Sequence, residues 1–166
     1  MHLLKKLSFP REVLPLVRVI SQLVQFAVGY LIVVPLFAHY EVGMSSAFLV
    51  VPLVMLLLFV FTAGVALAVA TAQVYFRDTQ HLVNVVLQLW FWLTPILYSL
   101  ELIPERFRSF AFANPLTFFV TTYQDIVVGH AWPDGARLGL LCGLACGSWA
   151  VGYWVFVRGE RRIAEF

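Results

Sequence analysis

The chain has 166 residues, 61% of them hydrophobic and only 12% charged, with a formal net charge of +2. A soluble domain carries about 25% charge, and one small core could not hide this much apolar surface. The composition excludes an ordinary water-soluble domain and points to lipid as the folding solvent, where a spanning helix takes about 20 mostly apolar residues.

Segment 1–18 has a basic start, Lys5 and Lys6, but Pro10, Arg11, Glu12 and Arg18 interrupt the place where a signal peptide would have its apolar core. It reads as a cytoplasmic segment. Four uncharged runs follow, at 19–38, 42–76, 82–100 and 138–157. Exposed strand edges are not tolerated in lipid, and the period-two alternation of a membrane barrel is absent. The expected fold is therefore an all-α, polytopic transmembrane bundle of about four spans (19–38, 46–74, 82–100 and 138–157), forming one domain over 1–166 with a cytoplasmic tail at 158–166.

Charge bias sets the expected direction. With the N-terminus inside, the inner segments hold Lys5, Lys6, Arg11, Arg18, Arg77, Arg158, Arg161 and Arg162, while the outer ones hold Arg106, Arg108 and Arg137. Both termini are then cytoplasmic. The inner turn YFRDTQH at 75–81 is short, with Arg77 and Asp78 set either to cap helices or to meet a partner, or simply solvated. The third run places Asn84, Gln88, Phe91 and Pro95 on one helical face, with Trp90 and Trp92 beside it. Tryptophan normally marks the membrane boundary, whereas Trp90 falls mid-run. That face suits either a passage or ordinary packing with amides bonded to neighbouring helices. Pro95 should kink or end the helix near Thr94.

The outer segment 101–137 is aromatic and apolar yet broken at Asn114-Pro115. It fits short re-entrant or interfacial helices. Asp125 there needs water or a partner. In the last run, Gly135, Gly139, Gly143 and Gly147 recur every four residues and imply close helix packing, within the chain or across a dimer. Cys142 and Cys146 sit four apart on the same helix, a spacing that suits packing better than a disulfide. His2, His39, His81 and His130 are scattered, and no phosphate loop, metal cluster or GxSxG occurs. No catalytic residues and no cofactor or metal are expected, so any energy source must come from a gradient or a partner.

The ordered pieces FPREVLPL, VYFRD, LQLWFWLTPILYSLELIPE, ANPLTFFVTTYQDIVVG and FVRGERRIAEF, taken together, resemble the ABC-2 type permeases that export polysaccharides such as O-antigen, capsule and teichoic acid. The resemblance covers nearly the whole chain. It implies a transport subunit rather than an enzyme, working in the bacterial inner membrane as a homodimer with a separate ATPase that hydrolyses ATP while a lipid-linked glycan passes. It implies that Phe9, Pro10, Arg11 and Glu12 touch the ATPase. By the same resemblance Ile103, Pro104 and Glu105, together with Asn114 and Pro115, belong to outer re-entrant helices. Candidates for the glycan path are Asn84, Gln88, Trp90, Phe91, Trp92 and Tyr98. Against a family pattern of about six spans, the chain corresponds to an N-terminally truncated permease of four. The competing readings are an ABC-2 permease for a drug or lipid, and a non-transporting remnant.

Overall fold

The computed structural model describes residues 13–39, 45–76, 78–98 and 100–163. The described residues are helical or irregular, with no strand. In chain order the helices are α1 (Val13–His39), α2 (Val51–Tyr75), α3 (Thr79–Leu93), α4 (Glu105–Ala113), α5 (Pro115–Val127) and α6 (Gly135–Ile163). Short 3-10 turns occupy Ser46–Val50, directly before α2, and Leu100–Leu102.

Three helical stretches are long and apolar enough to cross a bilayer: Leu16–Phe37, Ser46–Tyr75 and Gly135–Gly159. Segment 82–100, expected as a fourth span with a kink or end near Thr94, is α-helical only in its first part. Helix α3 stops at Leu93. The reason is Pro95, whose ring disfavours helical backbone at the residue before it; Thr94 accordingly sits at φ −88°, ψ 130°. Fifteen residues of helix rise only about 22 Å, short of the ~30 Å hydrocarbon thickness.

Helix α2 is the centre of the fold. Its buried Val51, Val54, Met55 and Phe61 join Phe119 and Ile126 of α5 and Leu141 and Ala145 of α6 in one cluster. The Phe61 and Phe119 rings lie 5.5 Å apart. Helices α2 and α6 run parallel, since Phe61 meets Ser148, Gly64 meets Gly152, and Tyr75 meets Gly159. They touch backbone to backbone. A Cβ added at Gly152 would collide with the Gly64 carbonyl and lie 2.9 Å from its Cα, and one added at Gly64 would collide with the backbone of Ser148. Two hydrogen bonds flank this contact: Ser148 Oγ donates to the Phe61 carbonyl at 2.8 Å, and Tyr75 Oη donates to the Gly159 carbonyl at 3.1 Å.

The expected glycine stripe is therefore not the packing surface within the chain. Gly135, Gly139, Gly143 and Gly147 have no heavy atom within 4 Å of an added Cβ, whereas Gly152 and Gly159 do. The buried face of α6 runs through Leu141, Ala145, Gly152, Phe156 and Gly159, and the four stripe glycines point elsewhere.

Helix α1 leans on the 3-10 turn before α2 through a Phe37–Phe48 edge contact at 5.9 Å and a Tyr30 Oη bond to the Phe48 carbonyl at 2.9 Å. Most of its apolar side chains remain exposed, Leu31 at 69%. Such exposure on a helix of this length is what lipid contact requires.

Replacing Gly152 by Val should force α2 and α6 apart, with a stability loss of roughly 1–3 kcal/mol or more from overpacking. Gly143→Ala, on the open face, should be close to neutral. Thermal unfolding of both variants in one detergent checks the contrast; equal loss in the two would refute the assignment of the packing face.

Candidate functional site

Because α2 and α6 are parallel, the chain between them must return the full height of the bundle. Helix α3 supplies most of that return. The rest is made by the irregular segment 94–98 and by α4 and α5, and a buried polar joint locks these pieces together.

Asn114 is at its centre. Its backbone is extended, at φ −87°, ψ 116°, which ends α4 and starts α5. Its side-chain oxygen accepts from the Leu116 N–H at 3.0 Å, an N-cap. Pro115 occupies the first turn of α5, where a missing N–H costs nothing. The same Asn114 oxygen accepts from Trp90 Nε1–H of α3, and Asn114 Nδ2 donates to Thr94 Oγ1 at 2.7 Å. Thr94 in turn donates to the Trp90 carbonyl at 2.8 Å. Asn114 is 4% exposed and Thr94 1%. A second tie lies beside the first: Gln124 Nε2 of α5 donates to the Pro95 carbonyl at 2.8 Å. The Leu116 N–H and the Pro95 carbonyl, left open by the helix breaks, are satisfied by the Asn114 and Gln124 side chains, which is the condition for irregular backbone at membrane depth. Thr117 lies in the first turn of α5, fully buried, with a hydroxyl that has no partner among the described residues.

The sequence-expected residues divide clearly. Trp90, Asn114 and Pro115 meet in the joint. Asn84, Gln88, Phe91 and Trp92 lie exposed on α3, with Phe91 and Trp92 in an edge-on ring pair at 5.8 Å. Tyr98 follows the proline break and donates to the Trp92 carbonyl at 3.0 Å. Ile103, Pro104 and Glu105 lead into α4, and the Arg108 guanidinium returns to the Ile103 carbonyl at 3.3 Å. Phe9, Pro10, Arg11 and Glu12 lie outside the described residues, as does Arg77. Asp78 precedes α3 without a side-chain cap bond; Thr79 instead donates to the Phe76 carbonyl at 2.7 Å.

Reading residues one by one passes over Thr94 and Gln124. The available signal for Thr94 is its place four residues after Trp90 and directly before Pro95. Gln124 carries no such signal, since only the folded α5 aims it at the Pro95 carbonyl. Asp125 finds its counter-ion in Arg137 across the α5–α6 turn. Both side chains are about half exposed, 46% and 50%, so the pair contributes little. That turn is tight: His130 has φ 50°, and the Ala131 N–H returns to the Asp125 carbonyl at 3.0 Å. Trp132 then reaches Ser46 before α2. Hence the start of α2, the α5–α6 turn and the start of α6 share one end of the bundle. Among the described residues no three His, Cys, Asp or Glu side chains come together as a metal site would need.

A family model described as "ABC-2 type transporter" matches residues 4–128. The chain belongs to the ABC-2 type transporter family. The match includes α1 to α5 and the whole joint. The chain is 35% identical over 145 residues to the "O-antigen export system permease protein RfbA" of Myxococcus xanthus, covering 86% of this chain and 56% of that relative. It is 34% identical over 126 residues to a protein of the same description from Klebsiella pneumoniae, covering 75% of this chain and 49% of the relative. A second such Klebsiella pneumoniae protein is 29% identical over 126 residues. The chain thus spans about half the length of the curated relatives it matches. Family and helices together make it a multi-pass membrane protein.

The joint can be probed by substitution. Asn114→Ala removes the α5 cap, leaves the half-buried Trp90 indole N–H without its partner and takes one of the two bonds of buried Thr94, at a cost of about 1–3 kcal/mol. Trp90→Phe removes one bond and should cost about 1 kcal/mol, with coupling to Asn114→Ala in a double-mutant cycle. Additive losses, measured by equilibrium unfolding in mixed micelles, would break the network claim. Asp125→Asn should change stability by under about 1 kcal/mol, as an exposed ion pair does; the same unfolding assay checks it.

Proposed function

We propose that this chain forms membrane-path structure of an ATP-driven exporter of lipid-linked polysaccharide in the bacterial inner membrane, with ATP hydrolysed by a separate subunit. The observation that carries this reading is the 35% identity, over 86% of the chain, to a protein described as an O-antigen export permease. The eight-to-three bias of basic residues supports cytoplasmic termini.

Within that reading, Phe9, Pro10, Arg11 and Glu12 form the contact with the ATPase. Asn84, Gln88, Phe91, Trp92 and Tyr98 line the glycan path. Amides hydrogen-bond sugar hydroxyls, and aromatic faces stack on sugar rings without demanding one register, which suits a polymer that must keep sliding. Trp90 plays a different part, because its indole N–H is committed to Asn114. Through that bond, movement of α3 reaches α4 and α5, which the reading makes the outer re-entrant helices built around Ile103, Pro104 and Glu105. Gly139, Cys142, Gly143, Cys146 and Gly147 form an exposed small-residue face on α6. A second copy of the permease can approach closely there.

Co-expression with the ATPase subunit tests the coupling. Arg11→Ala with Glu12→Ala should abolish both co-purification and permease-stimulated ATP hydrolysis; unchanged values for both would remove the docking assignment. A deletion strain should accumulate lipid-linked glycan on the cytoplasmic side. Unaltered glycan with changed drug sensitivity would instead assign the chain to a drug- or lipid-transporting permease.

A further inference from the structure

The bundle end opposite the joint carries a feature that the transport reading leaves unused. There α2 and α6 stay in contact, Thr71 against Gly159, and beside that contact their side chains border an open groove of about 520 Å³. Its floor is apolar, formed by Ala68, Ala72 and Val155. The hydroxyl hydrogen of Thr71, also in the wall, is already given to the Leu67 carbonyl at 2.9 Å. At the rim, the Tyr75 phenol is fixed by its bond to the Gly159 carbonyl. The Arg158 guanidinium lies over the Trp154 ring, 3.8 Å from its centroid.

Among the described residues this rim cation is held in place without being neutralised. The ring face attracts a guanidinium but satisfies none of its five N–H donors directionally. Among the described residues no carboxylate pairs with Arg158, the ion pair of the bundle being that of Arg137 with Asp125. Arg158 also lies at the end of the apolar span Gly135–Gly159, beside two aromatics of the kind that sit at headgroup level.

We propose that this groove binds one anionic phospholipid of the surrounding bilayer, its phosphate on Arg158 and an acyl chain along Ala72 and Ala68. Charge and shape argue for a lipid over an acidic protein segment. The groove runs from the cation into the span: Ala68 is seven residues from Tyr75, about 10 Å along the helix. A protein docking at the rim would leave that apolar length empty, whereas an acyl chain fills it.

Native mass spectrometry of the full chain with phosphatidylglycerol or phosphatidylcholine tests the site. Wild type should retain phosphatidylglycerol roughly five-fold better, the effect of one arginine at an anionic surface. Arg158→Gln should erase the preference while leaving some lipid bound. Ala72→Phe should fill the groove and displace both lipids; its circular dichroism and thermal unfolding should match wild type, which separates displacement from misfolding. Equal retention of the two lipids, or a preference that survives Arg158→Gln, overturns the proposal. So does an Arg158→Gln variant that keeps the lipid preference and loses only the ATPase subunit, which would give Arg158 to a protein contact.

Discussion

The parallel, backbone-to-backbone contact of α2 with α6 governs the layout of the whole bundle. Where Gly64 and Gly152 meet, neither position has room for a Cβ. Water cannot drive two apolar helices together inside lipid, so close packing and interhelical hydrogen bonds must do so. Glycine permits the first, and Ser148 and Tyr75 supply the second. Once two helices so joined point the same way, the intervening chain has to travel back. Everything between Phe76 and Asp134 answers that demand.

The return is not one clean helix. Pro95 halts α3 and Asn114-Pro115 halts α4, so backbone donors and acceptors are left open twice within a compact volume. Side chains from the neighbouring pieces cover the Leu116 N–H and the Pro95 carbonyl. Asn114 caps α5, bonds the indole of α3 and holds the threonine ahead of the proline, while Gln124 covers the Pro95 carbonyl. A network of this kind is stiff, since losing one member strands the others in a medium that offers few substitutes. It gives the short helices a defined position relative to α3.

Much of the bundle surface remains uncovered. The apolar faces of α1 and α3 are open, Leu89 at 66% and Trp92 at 64%, alongside the small-residue face of α6. Lipid is a sufficient cover for leucine and valine. The mixed amide and aromatic face of α3 is a different surface, because Asn84 and Gln88 retain hydrogen-bonding capacity that acyl chains cannot meet. That contrast separates α3 from a helix whose exposed face lipid alone can satisfy.

The solvent and the helices were legible from the residues alone. Low charge and long apolar runs leave little freedom in lipid, and the prolines at 95 and 115 mark breaks through local backbone sterics that no distant contact is needed to impose. The ordered motifs also sufficed for the family. Which glycines pack emerged only on folding: the regular stripe of Gly135, Gly139, Gly143 and Gly147 is the more conspicuous pattern, yet Gly152 takes the contact, because the face of α6 that meets α2 depends on where α2 lies. The same holds for Trp90. Its type and mid-run position announced something unusual, but its partner lies 24 residues away, beyond two helix breaks whose angles are set in the folded chain. The third span was shortened for a local reason and completed for a non-local one: Pro95 ends it, and the parallel pairing of α2 with α6 obliges the chain to finish the crossing by other means.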